Sequence, residues 1–357
     1  MDLNPTGYGR ILWTRRRCRS QTPTGPSTSQ ASRTILKRGS TGAPGGAEPR
    51  SSLSRSGGYA GGMETGATST GICLIAGCGY VGTRLARRLG GPVLALVRTA
   101  ASAEALCRAG IPAQAVDLGG GDLPVPGDLG AVVYLAPPGG EGGFDDRLRA
   151  FLAALGGVRP RMFLYASTTG VYGDAGGAEV DEATPPTPGN DRARQRLDAE
   201  RQAQAWCAAR GVRWVVFRVA AIYGPHRLPL ERLRRGEPVL RPEDTGPGHR
   251  IHVDDLVAAC TAALTGTAEG IFNLMDGFPW SVAEFTERLA AIAGLPVPRR
   301  IGWAEAERVL SPGLLAFLRD RRRVRSHRLA ELGISRRPPD TGIRDSLREM
   351  GLSSAGR

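Results

Sequence analysis

With 357 residues, of which 41% are hydrophobic and 6% aromatic, the chain is long enough for one large core or two modest ones, and wholesale disorder is excluded. Its 50 glycines and 26 prolines show no G-X-Y period, which excludes a collagen-like chain; no apolar run reaches about 18 residues, so no membrane span is expected. The formal charge of +13 is concentrated at one end: ten basic residues precede Met63 against Asp2 and Glu48, leaving +5 for everything after it, and Lys37 is the only lysine. That distribution reads as a compositional bias towards Arg, so no nucleic-acid partner is expected.

In chain order, residues 1–66 are rich in Ser, Thr, Gly, Pro and Arg without helical or strand period, and are expected to be a disordered leader. Two readings stay open for this leader: an organellar transit peptide, or, preferred, a translation start at Met63 that leaves it out of the protein. Six cysteines lie far apart with no C-x-x-C pair, so neither a zinc site nor a disulfide framework is expected, and a reducing cytoplasm fits best.

From Gly71 short apolar runs alternate with stretches of helical character. Strands are predicted at 72–76, 93–97, 113–116, 131–136, 162–166 and 214–219, and helices at 81–89, 101–109, 144–155 and 192–209. This is the pattern of repeated βα units, hence an α/β fold with a doubly wound parallel sheet. After Tyr223 the alternation weakens; a further strand at 271–275 and several helices suggest a small substrate lobe. The expected division is a dinucleotide-binding domain over 70–275 and a small, mostly helical lobe over 276–357, with 224–250 contributing to it.

Gly77-Cys78-Gly79-Tyr80-Val81-Gly82 follows the first strand and opens a helix, the context that a G-x-G-x-x-G dinucleotide fingerprint requires. Gly77 permits the tight turn, Gly79 lets a diphosphate approach the backbone, and Gly82 allows close helix–sheet packing. The free amides at the helix start, those of Tyr80 and Val81, meet the negative charge. At the end of the second strand, where an NAD-specific site usually carries Asp or Glu, stands Arg98, followed by Thr99 and Ser102. A guanidinium suits a 2′-phosphate, so NADP is favoured with NAD the alternative; a plain solvated arginine competes with that reading. Asp117 and Leu118 close the third strand, where the carboxylate is expected to accept from an adenine amine, and Leu135 and Ala136 close the fourth, expected beside the ribose. A plain turn is the competing and favoured reading of either alone, and their order and spacing after Gly77 support the site together.

The glycine motif, Tyr165-Ala166-Ser167-Thr168-Thr169-Gly170-Val171-Tyr172-Gly173, Arg218-Val219-Ala220-Ala221-Ile222-Tyr223-Gly224-Pro225 and Ile251-His252-Val253-Asp254-Asp255-Leu256 together resemble the extended and atypical short-chain dehydrogenase/reductases, the NAD(P)-dependent epimerase/dehydratase group. The resemblance covers about residues 70–350. It implies that Thr168, three positions before Val-Tyr-Gly, is the catalytic hydroxyl that bonds the substrate oxygen. It also implies a Tyr-x-x-x-Lys some two dozen residues later, and no such motif occurs in this chain. If Glu200 is the glutamate that follows it, Arg192 stands for the Tyr and Arg196 for the Lys. An arginine keeps its proton at any working pH, so the usual relay is missing.

Arg192 and Arg196, four apart on one helical face, are candidates to hold an anionic substrate group, with a solvated face as the alternative. Arg250 and Arg241 are further candidate substrate contacts. Of the two candidate substitute acids, Tyr172 is preferred, with a structural tyrosine as the competing and favoured reading, and Tyr223 is placed at the nicotinamide pocket. In the resembled family His252, Asp254 and Asp255 cap a helix over 256–264, so no metal is expected, and the run 321–325 reads as a solvated turn. The expected function is a hydride-transferring oxidoreductase or epimerase/dehydratase-like enzyme acting on a small carbonyl, alcohol or sugar-type substrate. The alternative is a catalytically inactive NAD(P)-binding regulatory or interaction protein. Paired helices in the resembled superfamily are compatible with a homodimer.

Overall fold

A computed structural model describes residues 71–352; the leader expected over 1–66 lies outside the described residues. Seven parallel strands form the central sheet: β1 (Ile72–Ala76), β2 (Val93–Val97), β3 (Ala113–Ala115), β4 (Leu129–Tyr134), β5 (Met162–Thr168), and, after the short β6 (Glu179–Val180), β7 (Arg213–Val219) and finally β11 (Gly270–Leu274). Their order is β11-β7-β5-β4-β1-β2-β3. Every residue of β1 and β2 is buried, because both faces of a parallel sheet are covered by helices. Each aliphatic side chain buried in this way contributes about 1.5–3 kcal/mol.

Helices α1 (Tyr80–Leu89), α2 (Ala100–Arg108), α3 (Asp146–Ala154) and α4 (Asp191–Ala208) follow their strands, and later helices complete the layers. Two apolar clusters sandwich the sheet. One contains Ile75, Leu85, Val133 and Leu256; the other contains Leu74, Tyr134, Phe151 and Trp206.

The elements agree with the periodicity except at their ends, and the differences have local causes. Asp145 caps α3 by accepting the Leu148 amide at 3.1 Å, which leaves Phe144 outside the helix and 60% exposed. Asn190 caps α4 in the same way through Ala193. β4 stops at Tyr134, so Leu135 and Ala136 lie just beyond its end, whereas β5 runs on through Ser167 and Thr168.

The remaining elements are short. β8 (Ala221–Tyr223) pairs with β10 (Arg250–His252), β9 (Val239–Leu240) with β12 (Arg300–Ile301), and β6 with β13 (Arg323–Val324), all parallel. Around them pack α5 (Leu230–Arg234), α6 (Val253–Thr265), α7 (Val282–Ala293), α8 (Trp303–Val309), α9 (Pro312–Arg319) and α10 (Pro339–Glu349). Two small apolar clusters join these segments, one around Tyr223, Leu233, Phe285 and Ile343, the other around Leu240, Ile301 and Leu315. Among the described residues no helix is long and apolar enough to cross a membrane.

Candidate active site

The strand order reverses between β1 and β4, and the crevice at such a switch point is where open α/β sheets bind ligands. Gly77 sits there with φ +81. A Cβ on it would lie 2.5 Å from the Ala136 amide nitrogen, so only glycine lets the two strand ends meet. At Gly79 the opposite holds: a Cβ would meet nothing within 4 Å, which leaves an open cradle beside the first turn of α1. That turn has no side-chain cap and no acidic residue, so the amides of Tyr80 and Val81 face the cradle unscreened. Gly82 is close-packed, its Cβ position being 3.1 Å from Ile75 and 3.3 Å from Leu135. The residues present therefore fit a dinucleotide diphosphate: an amide-rich helix start, space for the phosphates, and glycine where contact is tightest.

The side chains around the cradle are less uniform. The Tyr80 phenol donates to the Pro225 carbonyl at 2.8 Å, and the guanidinium of Arg227 lies 4.3 Å from its ring. Arg98 is exposed just past β2, and Thr99 caps α2 with Ser102. Asp117 is exposed and accepts the Gly119 amide at 3.0 Å; Leu118 turns its side chain into the core.

At the carboxyl ends of β5 and β7, where Thr168 pairs with Val219, opens a cleft of about 480 Å³. Thr168 lines it, half-buried, its hydroxyl oxygen accepting the Gly170 amide at 3.1 Å. Arg192, Arg196, Arg227 and Arg322 also line it, against a single carboxylate, Asp320, which is paired with Arg322 at 3.0 Å. Arg192 and Arg227 carry no ion pair among the described residues, so the cleft keeps uncompensated positive charge. Arg196 is differently engaged: its Nη1 donates to the Ala166 carbonyl at 2.8 Å, to the Tyr165 hydroxyl at 3.2 Å and to the Ala136 carbonyl at 3.3 Å. It ties the ends of β4 and β5 together on the cleft floor.

Several expected roles are corrected. Tyr172 is 1% exposed; its hydroxyl donates to Asn273 Oδ1 at 2.9 Å and accepts from Arg218 at 3.0 Å, and burial pushes its pKa up. A sealed phenol with a raised pKa is not the proton donor of an open cleft. Arg250 is 8% exposed and donates to the carbonyls of Gly248, Trp280 and Ser281 over the Phe285 ring. Burial lowers its pKa to about 10, and it holds chain segments together instead of a substrate.

Tyr223 packs edge-on against His252 and Phe285 in the small cluster and does not line the cleft, and Arg241 is exposed outside the wall of the cleft. Of His252, Asp254 and Asp255, expected to cap α6, it is His252 that does so, its Nδ1 accepting the Asp254 amide at 3.2 Å, and the helix starts earlier than expected, at Val253. The run 321–325 is not a solvated turn: it contains β13, and Arg322 is buried with a 2.7 Å bond to the Gly173 carbonyl.

Beneath the cleft lies a buried network that motif reading did not resolve. Glu200, 1% exposed, accepts the Ser167 hydroxyl and pairs with Arg218 at 2.8 Å; Arg218 continues to Tyr172, and Tyr172 to Asn273. Both charges are compensated, and the signal available was an acidic residue on the inner face of α4 with an arginine inside the apolar run of β7.

Residues 148–274 match the NAD dependent epimerase/dehydratase family. Among curated proteins, dTDP-D-glucose 4,6-dehydratase of Bos taurus is 28% identical over 141 residues, 37% of this chain and 40% of the relative, and that of Mus musculus 29% over 136 residues, 36% and 38%. The match thus spans about two fifths of the length of these relatives. Among solved structures, a conserved protein from Silicibacter pomeroyi DSS, described as functionally unknown, is 30% identical with a TM-score of 0.67, covering 78% of this chain and 99% of that one. UDP-glucose 4-epimerase of Thermus thermophilus, solved with NAD, shares the fold at 22% identity and a TM-score of 0.63, covering 78% and 99%. The Thermotoga maritima enzyme, solved with UDP-glucose, does so at 18% and 0.63, covering 78% and 98%.

Proposed function

The chain belongs to the NAD-dependent epimerase/dehydratase family, and from that premise we propose that it binds a nicotinamide dinucleotide, NADP in preference to NAD, and moves a hydride to or from a small sugar-type carbonyl or alcohol that bears an anionic group. The observation that carries this reading is the alignment of two features at one end of one sheet. The open cradle at Gly79 stands at the switch point, and Thr168 stands on the wall of the neighbouring cationic cleft. Gly77, Gly79, Tyr80, Val81 and Gly82 would hold the diphosphate, Arg98 the 2′-phosphate, Asp117 the adenine end, and Leu135 and Ala136 the ribose. Bound there, a nicotinamide supplies or accepts the hydride.

Thr168 orients the substrate oxygen, and Arg192 with Arg227 attracts the anionic group. Arg196 supports the strand ends on which both depend. A second reading, a coenzyme-loaded binding protein without turnover, is favoured by one observation: Tyr172, the preferred substitute acid, is sealed, and if Glu200 is the glutamate that the resemblance implies, Arg192 and Arg196 take the places of the phenol and ammonium.

One series of measurements separates them. Titration of the full chain should show binding of NADPH, and Arg98→Ala should weaken NADPH about tenfold or more while leaving NADH unchanged. Deuteride transfer from labelled NADPH to a panel of phosphorylated or carboxylated sugar carbonyls should fall about a hundredfold or more in Thr168→Ala, with coenzyme affinity retained. Tight coenzyme binding without transfer to any member of the panel selects the binding protein. No binding of either coenzyme defeats both readings.

A further inference from the structure

A second cavity, of about 530 Å³, shares Thr245, Gly246, Pro247 and His249 with the wall of the substrate cleft, so that this stretch of chain is a partition along which the two cavities adjoin. The partition is fastened by main-chain and ring contacts: the Gly248 amide donates to the Trp280 carbonyl at 3.0 Å, and the Val324 amide to His249 Nε2 at 2.9 Å. Gly246 lies so close to the segment entering β13 that a Cβ on it would be 3.1 Å from the Arg321 Cα.

The lining of this cavity divides by chemistry. Met275 and Val324, both buried, with Pro247 and Pro279, make an apolar floor. Arg323, Arg325 and Arg336 supply cations. Arg325 is paired with Glu179 at 2.7 Å, whereas Arg323 and Arg336 have no ion pair or side-chain hydrogen bond among the described residues. The Arg336 guanidinium lies against Gly277, where φ is +83 and a Cβ would come within 2.5 Å of Nη1. The carboxylate in the wall, Glu284, is already engaged: it accepts the Ser281 amide at 2.7 Å in the capping box of α7. Arg336 is within electrostatic reach of the buried Asp276, but neither it nor Arg323 is ion-paired among the described residues. Against the charge of Glu284 they leave the lining net positive over an apolar floor, which describes a site for one anionic group attached to an apolar body.

We propose that this cavity is a second ligand site, separate from the substrate cleft, that binds a small organic monoanion. The carboxylate lies between Arg323 and Arg336, and the body covers Met275 and Val324. A bare inorganic ion satisfies the arginines and leaves the floor exposed, so it binds more weakly. Neither arginine takes part in the hydride reaction proposed above, and the site stands or falls independently of it.

The test is calorimetric titration of the full chain with benzoate, an aromatic carboxylate of suitable size, for which a dissociation constant on the order of 1 mM is expected from its few heavy atoms. The double variant R323A/R336A should weaken this binding about tenfold or more. The variant R192A/R227A, which strips the cleft, should leave it in place, and inorganic phosphate should bind at the second site at least about fivefold more weakly than benzoate. NADPH titration and the melting temperature report whether each variant is folded; R323Q/R336Q replaces the alanine pair if that pair is not. Benzoate binding that survives R323A/R336A and disappears in R192A/R227A overturns the proposal. So does phosphate binding as tightly as benzoate, because the apolar floor then contributes nothing.

Discussion

The nucleotide end and the substrate end of this sheet are built from different materials. At the turn between β1 and α1 the construction is main chain: a glycine with positive φ, a glycine facing open space, and a helix start without a cap. At the ends of β5 and β7 it is long side chains, with guanidiniums that have opposite fates. Arg218 is paired inside the protein with Glu200, Arg196 bridges strand ends, and Arg192 and Arg227 stay open to the cleft. A backbone-built site tolerates almost no change in shape but needs no charge balance. An arginine-built site tolerates surface change well and depends on the buried pairs under it.

The largest effect is expected where the second construction rests on a single carboxylate. Glu200→Ala leaves Arg218 buried without its counter-charge and frees the Ser167 hydroxyl, which should cost about 3–5 kcal/mol, read as a lowered denaturation midpoint. A loss under about 1 kcal/mol would mean that water reaches Arg218, and the distinction between buried and open arginines would fail.

The nucleotide end should give a split result. Gly77→Ala meets both the φ penalty and the Ala136 main chain and should lose about 2–4 kcal/mol of stability together with coenzyme binding. Gly79→Ala should change stability by less than about 1 kcal/mol and still weaken coenzyme binding about tenfold, because its methyl group enters only the cradle. Equal effects of the two substitutions would abolish the asymmetry between them.

The smallest effect is electrostatic. His249 and His252 are held near pKa 4, mainly by burial, so the unfolded chain takes up protons at a higher pH than the folded one. The stability that these neutral imidazoles contribute is complete above about pH 6.5 and is lost as the pH falls towards 4. Asp276, raised to about 6 by burial, acts in the opposite direction over the same range, since protonation relieves its penalty. With two imidazoles against one carboxyl, the melting temperature should fall by about 5 °C or more between pH 7 and pH 4.5, and His249→Gln should remove most of that fall, because Asp276 then offsets the single remaining imidazole. A flat profile would show that Asp276 balances both.

How much of this was legible in the sequence follows the same division. The strands and helices were readable because β1 and β2 are continuous apolar runs and β5 opens with one, and the glycine motif was readable because it encodes backbone conformation at fixed positions. The arginines were not. Arg250 and Arg192 look alike as letters, and what separates them is whether carbonyls from Trp280 and Ser281 close around the guanidinium. Tyr172 was placed correctly in the chain, just after β5, but the 3-10 turn at Thr169–Tyr172 directs its ring inward to Asn273 instead of towards the cleft. Periodicity carries no information on such a reversal.

The bond from the Tyr80 phenol to the Pro225 carbonyl connects the two ends mechanically. Gly224, with φ +152, leaves no room for a side chain there: a Cβ would lie 2.6 Å from the phenol oxygen. The ring therefore acts as a pivot on which the polypeptide beyond Pro225 rests against the helix that faces the diphosphate. Together with the pairing of Arg84 to Asp254 and Glu349, that bond ties the first helix to the later part of the chain, so one aromatic side chain inside the glycine fingerprint helps to hold the crevice at its width.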